Sequence, residues 1–153
     1  MTKLQFLCSN HRRWLRENPR AAVRVWMESY SRSFDLLEEH DFRQALLHAG
    51  SAFETAEIVL GQAATPDLLL IRRFADSSVL LAQVLYLEQK PDSARAVLAA
   101  SVVRFERLLA LGIEKKAVLA GCEQLMNVGE SPSAMEWAFV RDTYTAEPSQ
   151  QFH

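Results

Sequence analysis

Residues 41–61 read DFRQALLHAGSAFETAEIVLG, and this stretch decides the class of fold. Its apolar side chains recur every three or four positions from Phe42 to Leu60, which is the period of one face of an α-helix. Asp41 is a favoured N-cap residue, and Gly61 is a typical residue at a helix C-terminus. The stretch therefore predicts one helix with both ends marked.

The same period and the same end signals divide the rest of the chain into about seven antiparallel helices. Thr65 is the predicted N-cap of the fourth helix, with Pro66 at its first helical position. No Gly/Ser-rich or Pro-rich linker interrupts the pattern, so we expect a single all-α domain over residues 1–144. Its predicted parts are an N-terminal helix at 1–18, helical hairpins at 20–61, 66–111 and 113–144, and a flexible tail at 145–153.

The composition favours a helical globular domain. The 153 residues include 20 alanines and 21 leucines but only 5 glycines and 5 prolines, and alanine and leucine are strong helix formers. The most apolar segment, residues 68–87, carries three charged residues, which favours a buried central helix without membrane insertion. Cys8 and Cys122 form no CxxC pair, and two free thiols suit a reducing compartment, so we expect a cytoplasmic protein.

A pattern of small and apolar residues recurs three times. Its blocks are Ser33, Leu36, Phe42, Ala45, Ala49 and Ala52; then Ala82, Leu85, Pro91, Ala94, Leu98 and Ser101; then Cys122, Leu125, Ser131, Ala134, Ala138 and Arg141. This spacing resembles the tetratricopeptide repeat, although the blocks lie 49 and 40 residues apart and that family repeats every 34 or so. The resemblance implies a right-handed superhelix. A compact bundle of the same helices is the alternative.

The sequence contains no catalytic motif that we can identify. Walker A, GxGxxG, HExxH and GxSxG patterns are missing. His40 stands among three acidic residues, but consecutive residues at a helix end point in different directions and share a metal poorly. His48 fits a polar-face or partly buried position, and Cys122 a small core position, better than a catalytic role. We therefore predict a protein that is not an enzyme, with no catalytic residue, metal or cofactor.

The tetratricopeptide resemblance implies a groove for a partner. The first helix of each pair would line a concave face with Met27, Tyr30, Phe34, Val79, Gln83 and Tyr86, followed by Glu123 and Met126. Aromatic and methionine side chains suit an apolar peptide or an amphipathic helix. The predicted function is thus a non-catalytic protein-binding module, with an adaptor, chaperone or regulatory role. The alternative is that this aromatic stripe belongs to the core.

A second candidate surface lies near the N-terminus, where charge is unevenly distributed. Residues 1–27 carry a net charge of +5, and residues 28–67 carry −6. The basic surface consists of Arg12, Arg13, Arg16, Arg20 and Arg24. It could bind nucleic acid or an acidic protein, or it could be a solvated or salt-bridged face. A pI of about 6.1 argues against nucleic acid.

Self-association into a homodimer is a further expectation. Short helical solenoids expose apolar ends that need to be covered.

Overall fold

The computed structural model of the chain describes residues 5–130, and this part contains six α-helices and no strand. The helices are α1 (Ser9–Glu17), α2 (Pro19–Glu38), α3 (Phe42–Gln62), α4 (Leu68–Leu87), α5 (Pro91–Ala110) and α6 (Lys115–Glu130). The predicted all-α class is confirmed. The predicted seventh helix and the tail lie outside the described residues.

Side chains that precede the helices fix where α1 and α3 begin. Asp41 Oδ1 accepts a hydrogen bond from the backbone N–H of Gln44 at 3.2 Å, which confirms the predicted N-cap. At α1 the Sγ of Cys8 accepts from the N–H of His11 at 3.4 Å. The first helix therefore begins at Ser9, later than the sequence predicted, and the residues from position 5 to the cap are not helical.

The start of α4 also differs from the prediction. Asp67 caps this helix in place of Thr65, because its Oδ1 accepts from the N–H of Leu70 at 2.9 Å. Pro66 therefore precedes the cap and does not occupy the first helical position. Gly61 lies in the last turn of α3 and not beyond it.

Three helices end in the same left-handed turn. His40 after α2, Gln89 after α4 and Gly112 after α5 have φ of 61°, 58° and 72°. In each turn the next residue donates its N–H to the carbonyl five positions back, as in a Schellman motif. These bonds join Asp41 to Leu36 at 2.9 Å, Lys90 to Leu85 at 2.8 Å and Ile113 to Leu108 at 3.0 Å.

Helix α4 is the centre of the core and packs against α3, α5 and α6. Every residue from Phe74 to Leu85 is buried, so the most apolar segment of the chain is an interior helix, as predicted. The rings of Phe53, Phe74 and Phe105 follow one another across α3, α4 and α5, with centroids 5.7 and 5.5 Å apart. No helix of residues 5–130 has both the length and the apolarity that a membrane span requires.

Small residues allow α6 and α5 to approach α4 closely. A Cβ on Gly121 would lie 3.0 Å from Cζ of Phe105 and 3.4 Å from Cβ of Ala75. The hydroxyl of Ser101, fully buried on α5, donates to Oγ of Ser78 on α4 at 2.9 Å. These contacts bring the helices close together, as the dense packing of a protein core requires.

The left-handed turns give a prediction about stability. Gln89 is exposed, and an L-residue at its φ is disfavoured by about 1–2 kcal/mol. Glycine avoids this strain, but it also raises the entropy of the unfolded chain, which lowers the stability by about 0.4–1 kcal/mol. Gln89→Gly should therefore increase the free energy of unfolding by about 0.5–1 kcal/mol, measured by urea denaturation. Gly112→Ala is the matched control and should lower it. A loss of stability in Gln89→Gly would show that the backbone at Gln89 is not strained.

Candidate partner-binding surface

The aromatic stripe of α2 lies in the interior. Trp26 stacks on Tyr30 with ring centroids 4.8 Å apart, and Tyr30 meets Phe34 edge-on at 5.1 Å. Each of these three residues is only 2% exposed. Nε1 of Trp26 donates to Oγ of Ser77 on α4 at 2.6 Å, and the guanidinium of Arg73 lies 5.4 Å from the Trp26 ring centroid. Trp26 therefore links α2 to α4, and all three rings belong to the core.

Most side chains of the predicted groove share this interior position. Tyr30, Phe34, Val79 and Gln83 are buried, whereas Met27 and Tyr86 are partly buried. On α6, Glu123 and Met126 are not buried, and Met126 is 59% exposed. The structure thus assigns four of the six groove residues to the core, which is the alternative that the sequence left open.

A cleft of about 620 Å³ remains beside α2, and Met27 is the one predicted groove residue that lines it. Its other walls include Arg32 and Asp35 of α2 and His48 of α3. Burial and the neighbouring Arg32 guanidinium lower the pKa of His48 below its ordinary value of 6.5. The cleft therefore combines one apolar side chain with charged groups.

The segment before α1 is held against α3 by one buried carboxylate. Oε1 of Glu54 accepts the backbone N–H of Phe6 at 3.1 Å, and Oε2 accepts that of Leu7 at 2.7 Å. Glu54 is 4% exposed. The Phe6 ring occupies the place where a side chain on Gly50 would stand, so this glycine is needed for the close approach of the two segments.

The same carboxylate binds the first arginine of α1. Nη1 of Arg12 lies 3.2 Å from Oε1 of Glu54, and Nη2 lies 3.9 Å from Oε1 of Glu57. Beside this polar contact, a small apolar cluster joins α1 to α2 and α3. Arg12, predicted from the sequence as part of a basic surface, therefore holds α1 in place. The members of the apolar cluster are Leu7, Leu15, Ala22 and Ile58.

The next two arginines of α1 face the solvent. Arg13 and Arg16 are exposed, and no carboxylate of the described residues lies within 4.0 Å of either. Together with Gln5, Ser9 and Arg12 they line a surface cavity of about 300 Å³, which we call the arginine cavity. Trp14, between them in the sequence, is 45% exposed, and its ring centroid lies 6.0 Å from that of His11.

The remaining arginines of the predicted basic surface lie elsewhere. Arg20 and Arg24 are exposed on the first two turns of α2, and neither lines the arginine cavity. The structure therefore divides the predicted set into one anchoring arginine, two at the cavity and two on a different helix. We call Arg13, Trp14 and Arg16 the α1 basic surface.

Guanidinium groups on this surface are suited to oxyanions. Each presents a planar fork of N–H donors that can bind a carboxylate or a phosphate through two parallel hydrogen bonds. The Ser9 hydroxyl at the cavity forms no hydrogen bond with the described residues. The α1 basic surface therefore offers donors and positive charge together at one place.

Other polar groups in the interior are occupied by structural contacts. Asp76 of α4 is 7% exposed and accepts from Nε2 of Gln124 on α6 at 2.9 Å. Arg72 Nε lies 4.0 Å from its other oxygen. Burial, together with the charge of Glu106, raises the pKa of the Cys122 thiol, which keeps it protonated at neutral pH. In the described part of the chain, no three His, Cys, Asp or Glu side chains form a group that could hold a metal ion.

Comparisons with family models, with curated protein sequences and with solved structures give no match to this chain.

The anchoring of α1 gives a second prediction. Glu54→Gln keeps the shape of the side chain but removes the charge that two N–H groups and Arg12 share. The free energy of unfolding should fall by about 2–3 kcal/mol, measured by urea denaturation with circular dichroism. Glu57→Gln is the matched control, because its contact with Arg12 is longer and more exposed, and it should cost about 0.5 kcal/mol or less. Equal losses in the two variants would contradict the role of Glu54.

The third prediction concerns pH. The folded pKa of His48 is lowered, so as the pH falls below 6.5 the unfolded chain binds a proton at this site more readily than the folded chain. Stability should therefore fall between about pH 7.5 and pH 5.5, and His48→Gln should lose less over this interval than the wild type. Urea denaturation at both pH values measures the difference. If His48→Gln and the wild type lose the same stability, His48 does not cause the effect.

Proposed function

We propose that the protein is a non-catalytic interaction module that binds an acidic segment of a partner protein through the α1 basic surface. The observation that carries this proposal is the division of roles among the arginines of α1. Arg12 is neutralised by the buried Glu54, whereas Arg13 and Arg16 are exposed beside a cavity without a carboxylate partner among the described residues.

The anchoring of α1 favours specific binding over loose attraction. The helix is fixed to α3 by Glu54 and by the apolar cluster around Leu15. A surface that is already ordered loses less conformational entropy when a partner binds. Trp14 adds an exposed aromatic ring, a residue type that often contributes strongly to protein interfaces. Acidic side chains of a partner would meet the arginines, and an apolar side chain would cover the Trp14 ring.

We also propose that the helices form a tetratricopeptide-like superhelix. It is supported by the burial of the small residues that the first two sequence blocks share. Ala45 and Ala52 on α3 and their counterparts Ala94 and Ser101 on α5 are fully buried, as close helix crossing requires. The third block extends past residue 130, outside the described part of the chain. A module of this kind would serve as an adaptor, chaperone or regulator, in the cytoplasm if its two cysteines remain reduced.

The cleft beside Met27 is a second candidate contact for a partner peptide. Its volume of about 620 Å³ falls within the usual range of about 300–1,000 Å³ for ligand sites. Arg32 and Asp35 at this cleft offer both signs of charge, so binding there would depend less on salt than binding at the α1 basic surface. A homodimer remains part of the proposal and is tested by light scattering of the purified chain.

The fourth prediction tests the α1 basic surface with a labelled peptide of about 15 residues composed of Asp, Glu and Gly. Fluorescence anisotropy should show binding that weakens as salt rises from about 50 to 300 mM, because exposed charges are screened. The double variant Arg13→Gln/Arg16→Gln should raise Kd about tenfold, which corresponds to about 1.4 kcal/mol. Arg20→Gln/Arg24→Gln removes the same charge from α2 and should raise Kd less than about threefold.

The same assay separates the other binding modes. Equal losses in the two double variants would show that net charge alone attracts the peptide, which contradicts the proposed surface. If only Met27→Ala weakens binding of the peptide, the peptide contacts the cleft and not the α1 basic surface. Single-stranded RNA of equal charge is the comparison ligand, and tighter binding of this RNA than of the peptide would favour a nucleic-acid function, with Trp14 stacking on a base.

A further inference from the structure

The net positive charge of the arginine cavity is larger than the single negative charge of a carboxylate. Its three arginines carry three positive charges, and Glu54 neutralises Arg12. Glu57 lies 3.9 Å from Arg12, its one ion-pair partner among the described residues, and it does not line the cavity. Arg13 and Arg16 therefore leave about two positive charges at one small site. A phosphorylated side chain carries about −1.5 to −2 at neutral pH.

The donors around the cavity also exceed the needs of a carboxylate. One guanidinium can satisfy a carboxylate through a bidentate pair, but the guanidinium groups of Arg13 and Arg16 and the Ser9 hydroxyl line this space together. Gln5 uses Nε2 to donate to the carbonyl of Leu7 at 3.0 Å, which ties the cavity wall to the segment that Glu54 holds. A phosphate group has three terminal acceptor oxygens and can engage several of these donors at once.

The dimensions of the site are compatible with this ligand. The cavity volume of about 300 Å³ is at the lower end of the range for small-ligand sites. Arg13 and Arg16 are three positions apart on one helix, so their side chains emerge as neighbours on its surface. The wall that carries them is fixed, because Arg12 and Leu7 are both bound to Glu54.

From this charge and donor count we propose that the arginine cavity binds a phosphate group, presented by a phosphorylated serine or threonine within the acidic partner segment. This inference rests on the proposed function and deepens it. Phosphorylation of the partner would switch binding from weak to strong, since it adds charge and acceptors at the position of Arg13 and Arg16. The same chemistry would also admit free inorganic phosphate, and the experiment separates these two sources.

The fifth prediction uses two labelled peptides, the acidic peptide with one central serine and the same peptide with phosphoserine. Phosphorylation should lower Kd at least about tenfold for the wild type. The gain should disappear in Arg13→Gln/Arg16→Gln and persist in Arg20→Gln/Arg24→Gln. Arg13→Lys/Arg16→Lys keeps the charge but removes the bidentate geometry, so it should retain only part of the gain. All substituted residues are exposed, and circular dichroism confirms that each variant is folded.

Inorganic phosphate is the third probe. Its binding is monitored by NMR of the arginine Nε–H groups. Shifts at Arg13 and Arg16 with millimolar phosphate and a much tighter phosphopeptide complex are the expected result. If free phosphate binds as tightly as the phosphopeptide, the partner-segment part of the inference is overturned.

The outcomes distinguish this inference from the function on which it rests. If the unphosphorylated peptide binds through Arg13 and Arg16 and phosphorylation adds nothing, the phosphate inference is wrong and the proposed function stands. If the gain survives in Arg13→Gln/Arg16→Gln, the phosphate binds elsewhere and the inference is wrong. If neither peptide binds, the proposed function fails together with the inference.

Discussion

The placement of the N-terminal segment depends on the contacts of the Glu54 carboxylate. It reaches across 48 and 47 sequence positions to the backbone N–H groups of Phe6 and Leu7, and it also binds the guanidinium of Arg12. A buried charge is tolerated only when it is paired and hydrogen-bonded, and here both oxygens are satisfied. The contact therefore selects one position of the segment and of α1 on α3.

This anchoring determines which arginines are available to a partner. Because Arg12 turns inward to Glu54, Arg13 and Arg16 remain as the exposed arginines of α1, and Trp14 is left nearly half exposed. The aromatic residues of α2, in contrast, are buried. Trp26 donates to Ser77 of α4 and stacks on Tyr30 in the core, so their large side chains stabilise the core and do not form an open groove.

The sequence predicted the helical class well because its signals are local. Asp41 caps α3, Pro91 opens α5 and the residues after α2, α4 and α5 end their helices through interactions between near neighbours in the chain. The wrong prediction of Thr65 as the N-cap of α4 is also a local effect. Asp67, two residues later, caps the helix instead, because its side chain accepts the N–H of Leu70.

The surface could be predicted only in part. Periodicity identifies the apolar stripe of Tyr30 and Phe34 but does not tell whether other helices cover it, and in the structure both residues are buried in the core. The excess of arginines near the N-terminus was visible in the sequence. The division of roles between Arg12 and Arg13 was not, because it depends on Glu54, a residue distant in the chain whose partners include backbone groups that no sequence pattern marks.

Hydrogen exchange of the Leu7 backbone amide in the wild-type protein tests the role of Glu54 most directly. This N–H lies before α1, outside any helix, and Glu54 Oε2 accepts it at 2.7 Å. We expect this amide to exchange slowly, at a rate similar to that of the interior amides of α1, because the segment and the helix open together. Exchange at the rate of an unprotected amide, with α1 still protected, would show that Glu54 does not hold the segment in place.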